Sequence, residues 1–299
     1  MEMKQEGMEH ILNELSLTGQ YSSVDDFVKN GALPLADVLA EINKFGGSLL
    51  YKKSDFYLCK ALPDKTFYEI VVVGKEARLS DALRKLKSKM AALTNEPYWD
   101  TNPKQDETAA YLMVDESGNE SNVSGTSVAE AFVRNACLVS FNRSAFEMSI
   151  ITVKSSTDEA DGNVNNVWQE GQVCEVLRNA GFLSIPDYIV HTYSGKLDFS
   201  QIGARNGLEL INSENLSLFG SAFKKFNQLS WPQINVDDGL DYKEFEKNRR
   251  TRGYFPDAIW NKGVKKFRVD QEKRCFGYVE DGVFYVIRID LDHVLSDFG

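Results

Sequence analysis

Apolar positions recur at helical spacing over Leu35, Val38, Leu39, Ile42 and Phe45, which predicts a helix entered at Pro34 and stopped at Gly46-Gly47. Ser22-Ser23-Val24-Asp25-Asp26 predicts a shorter helix start just before Phe27. Three strands are expected next, at Leu49–Lys52, Phe56–Lys60 and Thr66–Val73, the last rich in β-branched and aromatic residues. Ser80 then caps a predicted helix with Leu83, Leu86, Met90 and Leu93 on one face. Residues 95–126 are polar and turn-rich. A loop of that length is uncommon inside a compact domain, so part of it is expected to pair or pack, and it offers a docking surface or a solvated excursion. Ser127 and Glu130 have capping-box spacing ahead of Ala131, Phe132 and Val133, and strands are predicted at Leu138–Phe141 and Phe146–Val153.

The polar run 155–166 predicts a linker. It divides the chain into an acidic N-terminal α+β domain for interaction or sensing, residues 1–155, and a C-terminal α+β domain, residues 167–299. The second domain is expected to open with a helix over Val167–Ala180. Strands at Tyr188–Thr192 and Leu208–Ile211 follow, then a helix over Leu218–Leu229 broken at Trp231-Pro232, and a charged helix over Tyr242–Arg250. Asp281-Gly282 between two β-rich runs predicts a tight hairpin. The fold class read from this pattern is α+β in two parts, ending in an antiparallel hairpin or meander.

Composition narrows the function classes. Across 299 residues, 34 Lys and Arg face 44 Asp and Glu, a net charge of −10, which opposes nonspecific coating of nucleic acid by the entire surface. Cys59, Cys137, Cys174 and Cys275 lie far apart without a C-x-x-C pair, as expected of free thiols in a reducing, cytoplasmic setting. The first residues carry charges where a signal peptide would be apolar. The longest apolar runs, Ile70–Val73 and Val283–Ile287, are far too short for a membrane span, so no membrane partner is expected. Walker, dinucleotide, nucleophile-elbow and zinc-protease patterns are absent from the sequence, and no cofactor is expected. His10 reads as a solvent-exposed residue of an acidic N-terminal helix, and His191 as a satisfied buried or edge residue of a strand.

Positive charge concentrates at one place. Residues 243–275 hold 11 Lys and Arg against 5 Asp and Glu, with Phe245, Tyr254, Phe255, Trp260 and Phe267 interleaved. Cations of this kind pair with phosphates and exposed aromatic faces stack on bases. The candidate contacts to RNA or DNA are Arg249, Arg250, Arg252, Lys265, Lys266, Arg268, Arg274 and Arg288. Strand alternation puts Lys266 and Arg268, with Arg274, on one face of the hairpin opposite Phe267 and Val269. It also groups Phe284, Val286 and Arg288 on a strand expected inside the sheet. A solvated helix face with core aromatics is the plainer account of the same segment.

The run G-V-K-K-F-R-V…R-C-F-G-Y-V…D-G-V-F-Y-V-I-R-I-D…H, residues 263–293, resembles the C-terminal β-meander of RelE/ParE-type toxins. That resemblance implies metal-independent RNA cleavage, with Lys265, Lys266, Arg268 and Arg274 offsetting charge and Arg288 or His293 in support. Asn13–Leu17 and the ending F-R-V…I-D-x-D-H are similar to bacterial defence-island proteins. Asp290, Asp292 and His293 form a D-x-D-H end that can bind a hard cation if a further oxygen ligand joins. Three readings result: a non-catalytic sensor or adaptor of anti-phage defence binding a protein partner, nucleic acid or both; a toxin-like ribonuclease; and a metal-dependent hydrolase.

Overall fold

The computed structural model describes residues 8–45, 50–73, 97–157, 161–203 and 207–292. The helix expected from Ser80, the Gly46-Gly47 stop and His293 lie outside the described residues. The chain is an α+β protein of two compact units, Met1–Phe182 and Leu183–Gly299.

The N-terminal unit is built on a seven-stranded sheet. Its strands are β1 (His10–Leu12), β2 (Leu50–Tyr51), β5 (Tyr111–Val114), β6 (Glu120–Asn122), β7 (Cys137–Val139), β8 (Ile150–Ser155) and β9 (Gly162–Val167). The order across the sheet is β2-β1-β7-β9-β8-β5-β6. A separate hairpin joins β3 (Lys60–Leu62) to β4 (Lys65–Thr66). The pairs β2-β1, β1-β7 and β7-β9 are parallel, and the rest of the sheet is antiparallel. Thus the polar run 155–166 is no linker: much of it is strand β9, buried at Val164 and Asn166 in the middle of the sheet. Gly162 opens that strand because a Cβ there would stand 2.3 Å from the Phe132 ring. The division between units falls after Phe182 instead.

Helices α1 (Val24–Phe27) and α2 (Leu33–Lys44) are joined by a π-helical turn, Val28–Ala32. Gly31 of that turn lies against Tyr21, where a Cβ would meet the ring at 2.6 Å. Helix α3 (Ser127–Arg134) forms where expected, but its N-terminus is capped from afar: the buried Glu14 carboxylate accepts from Ser127 N at 3.0 Å. Glu130 instead accepts from Arg134 Nε at 2.6 Å and from Lys104 N at 2.9 Å. Helix α4 (Gln172–Asn179) is shorter than expected and is entered from Gly171, whose N–H donates to Glu41 Oε2 at 2.9 Å. Thr66–Val73 is not a strand: β4 ends at Thr66 and a helical turn follows, with Glu69 bonded back to Thr66 N. Phe56–Leu58 is likewise a single helical turn. The long loop does pair, supplying β5 and β6.

In the C-terminal unit the strand expected at Tyr188–Thr192 is helix α5 (Ile185–Tyr193), capped by Ser184 and opened by Pro186. Leu208–Leu210 is a 3-10 turn. Helix α6 (Leu216–Gln228) follows, and Ser230 starts a new helix, α7 (Trp231–Val236), with Pro232 in its first turn. The five-stranded sheet has the order β10-β14-β13-β12-β11, with β10 (Leu197–Asp198) parallel to β14. The others, β11 (Lys243–Glu244), β12 (Lys265–Arg268), β13 (Arg274–Glu280) and β14 (Val283–Asp290), form an antiparallel meander. Positive φ at Asp281 (50°) and Gly282 (77°) closes the predicted hairpin. The charged helix expected over Tyr242–Arg250 is absent; strand β11 and a turn occupy that segment. Helix α8 (Asp257–Trp260) precedes β12.

Candidate functional site

Alternation along β12 and β13 sorts the meander into two faces. Phe267, Cys275, Phe284, Val286 and Ile289 pack with Phe219, Phe223 and Phe226 of α6 into the main core. On the opposite face, Phe276 joins Phe245, Phe255, Trp260 and Val264 in a second aromatic cluster. The register places Lys266 opposite Phe276 and Phe276 opposite Arg288. One row further along, Arg268 faces Arg274, which faces Asp290.

A bulge makes this second face. Phe276 pairs with Arg288 while Gly277 pairs with Val286, so Ile287 is an extra residue in β14. Arg288 therefore leaves the face of Phe284 and Val286, contrary to simple alternation. Gly277 permits the close approach: a Cβ there would lie 2.3 Å from Tyr285 O.

Geometry separates the candidate cations into two groups. Those on the sheet are tied into the fold. Lys265 Nζ lies 2.6 Å from Glu244 Oε1. Lys266 is 4% exposed, with Nζ 5.1 Å from the Phe245 ring centroid. Arg268 Nη2 donates to Asp241 Oδ2 at 3.0 Å, while its buried Nε has no hydrogen-bond partner. Arg274 is 6% exposed and its Nη1 donates to the carbonyls of Asp270 (2.6 Å) and Lys273 (2.9 Å). Arg288 is half-buried, and its Nε also lacks a partner. Burial and the neighbouring Arg268 charge both lower the Arg274 pKa. Burial raises that of Asp241, but the Lys243 hydrogen bond and the surrounding cations outweigh it and hold the carboxyl below its ordinary value.

The remaining lysines of the segment are also neutralised. Lys243 pairs with Asp241 (2.9 Å), Lys247 with Asp257 (2.6 Å), Lys262 with Glu280 (2.9 Å) and Lys273 with Asp270 (2.8 Å). The excess positive charge of the sequence is therefore mostly spread over local ion pairs. It does not form one continuous gripping surface on the meander.

Arg249, Arg250 and Arg252 are different. All three are exposed on a turn between β11 and α8. Asn248 Oδ1 accepts from Arg250 N (2.8 Å) and Thr251 N (3.1 Å). The buried Thr251 Oγ1 donates to Glu246 O at 2.7 Å and accepts from Asn248 N at 2.8 Å. Trp260 Nε1 donates to Arg252 O at 3.3 Å, tying the turn to the second aromatic cluster. Among the described residues, no carboxylate forms an ion pair with Arg249 or Arg252. Asn248 and Thr251 were overlooked as site residues, although N-x-x-T spacing is itself a turn signal.

The acidic end is described as far as Asp292. Asp290 is 5% exposed and stands opposite Arg274 in the register, whereas Asp292 is exposed. Among the described residues, no group of three or more His, Cys, Asp or Glu is arranged to hold a metal ion. No described helix is long and apolar enough to cross a membrane. The chain matches no protein-family model, no curated protein and no solved structure.

Proposed function

We propose that the protein is a non-catalytic binding module that engages the phosphate backbone of nucleic acid through Arg249, Arg250 and Arg252. The observation that carries this reading is the contrast in exposure. Most of the meander cations are buried or paired, while Arg249 and Arg252 are exposed and form no ion pair among the described residues, on a turn already held by Asn248 and Thr251. A preformed backbone reduces the ordering cost of binding, and a guanidinium fork matches phosphate oxygens. In this reading the chain acts as a sensor or adaptor of bacterial antiviral defence, passing occupancy to a protein partner. That part extends the sequence resemblance alone.

Ribonuclease chemistry fits less well, because Lys266 and Arg274 would have to leave buried positions to reach a scissile phosphate. Fluorescence anisotropy with labelled RNA and DNA oligonucleotides, over a series of NaCl concentrations and with or without EDTA, tests the proposal. The expected result is salt-sensitive binding without strand scission. An Arg249→Ala/Arg252→Ala variant is expected to lose roughly tenfold or more in affinity, and its salt slope to fall by about 1.4–1.8 for two lost phosphate contacts. Unchanged affinity in that variant, or cleavage of either oligonucleotide, overturns the reading.

A further inference from the structure

The N-terminal unit carries an open sheet edge beside an acidic cleft, and neither feature has a role in the reading above. Strand β6 lies at the end of the seven-stranded sheet. Val123 N donates to Tyr111 O at 2.9 Å and Asp115 N to Asn119 O at 3.0 Å, with Met113 opposite Ser121 between them. Antiparallel pairing alternates, so the N–H and C=O groups of Glu120 and Asn122 point away from β5. Among the described residues, no backbone group meets them. The side chains of β6 are exposed, and Glu120 is held on the solvent face by Lys154 at 2.9 Å.

Beyond Asn122 the chain runs along a cleft of about 430 Å³, bordered by Ser124, Gly125, Trp99, Gln105, Asp106 and Glu107. Its cavity wall also includes Asp100 and one cation, Lys53. Asp100 accepts from Ser54 N and Oγ, and Lys53 leans toward Asp55 at 3.8 Å. The Thr108 hydroxyl and backbone N–H keep the Asp106 carboxyl below its ordinary pKa, so it is charged at neutral pH. Glu107 has no ion pair among the described residues. The wall is thus negative by two charges, three carboxylates against one ammonium.

We infer that β6 is a docking edge for an extended segment of a partner protein, which adds as a further strand along Glu120–Asn122 and sets a Lys or Arg side chain in the cleft at Asp106 and Glu107. Backbone pairing supplies affinity in such strand addition, and the side-chain pocket supplies selectivity. The carboxylates favour a basic segment over an acidic one, which fits the negative charge of Asp115 and Glu116 at the turn beside the same edge.

The test uses the full chain, labelled with ¹⁵N, and two capped peptides, Thr-Val-Thr-Arg-Thr-Val-Thr and its counterpart with Glu in the central position. The Arg peptide is expected to slow exchange of the Glu120 and Asn122 amides at least tenfold and to bind at least tenfold more tightly than the Glu peptide. Glu107→Gln is expected to weaken it at least fivefold. Glu120→Pro removes an outward N–H at the first strand position, where proline is tolerated, and is expected to abolish binding. Absence of amide protection overturns the inference even if Glu120→Pro fails to fold, as does equal affinity for the two peptides. Binding of the Arg peptide is expected to persist in Arg249→Ala/Arg252→Ala, so this inference and the nucleic-acid reading fail separately.

Discussion

In the N-terminal unit, Asn13 Nδ2 donates to Ser140 Oγ (3.0 Å), Ser140 Oγ to Asn166 Oδ1 (2.7 Å), and Asn166 Nδ2 to the carbonyls of Phe146 and Met148. In the C-terminal unit the main core is aromatic: Phe219, Phe223, Phe226, Phe267 and Phe284 pack in tilted and edge-on pairs around α6. Carboxylates follow the same division. Glu14 and Glu41 are buried, each bonded to backbone N–H groups at the start of a helix distant in sequence, whereas the acids of the C-terminal meander mostly sit at the surface beside lysines. Polar networks make one arrangement of a sheet much better than its neighbours. The C-terminal unit buries charge too, at Lys266, Arg274 and Asp290 of the meander, but Arg249 and Arg252 stay at the surface, where a ligand can reach them.

The largest effect expected is in the aromatic core. Phe226 is fully buried between Phe267, Phe284, Trp231 and Tyr242. Phe226→Ala should destabilise by about 3–5 kcal/mol. Urea titration reads that loss, and amide exchange should place it in β12–β14. A cost under about 1 kcal/mol would show that the C-terminal core is not organised around this ring.

A pH effect comes next, from the polar unit. His10 is buried, with Nδ1 3.0 Å from Met8 O and Nε2 without a partner, and burial lowers its pKa to about 4 despite that backbone contact. The unfolded chain therefore binds the proton more readily, and stability rises with pH between the folded value and the ordinary 6.5. Lowering the pH across that window should cost about 3 kcal/mol. Burial pushes Glu14 upward, which gives a slope of opposite sign as pH rises through its folded pKa. His10→Gln separates the two: midpoints measured from pH 7 to pH 4 should lose the histidine slope. A slope identical to that of the parent protein would refute the assignment.

Asn166→Ala should cost about 2 kcal/mol, since the Ser140 hydroxyl and the Phe146 and Met148 carbonyls lose their buried partner. Thermal denaturation checks it, and a neutral result would mean that the polar chain does not direct the sheet. The same residue shows why this unit was harder to read from sequence. Asn163, Asn165 and Asn166 look like loop, yet β9 lies between β7 and β8, and only long-range bonds reveal it. Ser127 looks like the start of a capping box, but the cap comes from Glu14. Helix α2 and the Asp281-Gly282 hairpin were legible because their signals are local. At Ile189 and Val190 β-propensity suggested a strand, although Ser184, Pro186 and Asp187 spelled out a helix start. For the candidate site, the sequence revealed where cations gather. It could not show which acids would neutralise them.

The smallest expected effect sharpens the division between paired and presented charge. Glu244→Gln removes the carboxylate 2.6 Å from Lys265 Nζ on the outer strand of the meander. Were the meander itself the nucleic-acid surface, releasing Lys265 would add a phosphate contact and steepen the salt dependence by about 0.7–0.9. With the contact surface on the Asn248–Arg252 turn, both slope and affinity should stay within about twofold of the parent, while a single Arg249→Ala lowers the slope by roughly that same 0.7–0.9. Measured side by side in one salt series, a steeper slope for Glu244→Gln together with an unchanged one for Arg249→Ala would move the interface from the turn to the sheet. Lys265 would then regain the role that its position in the basic segment first suggested.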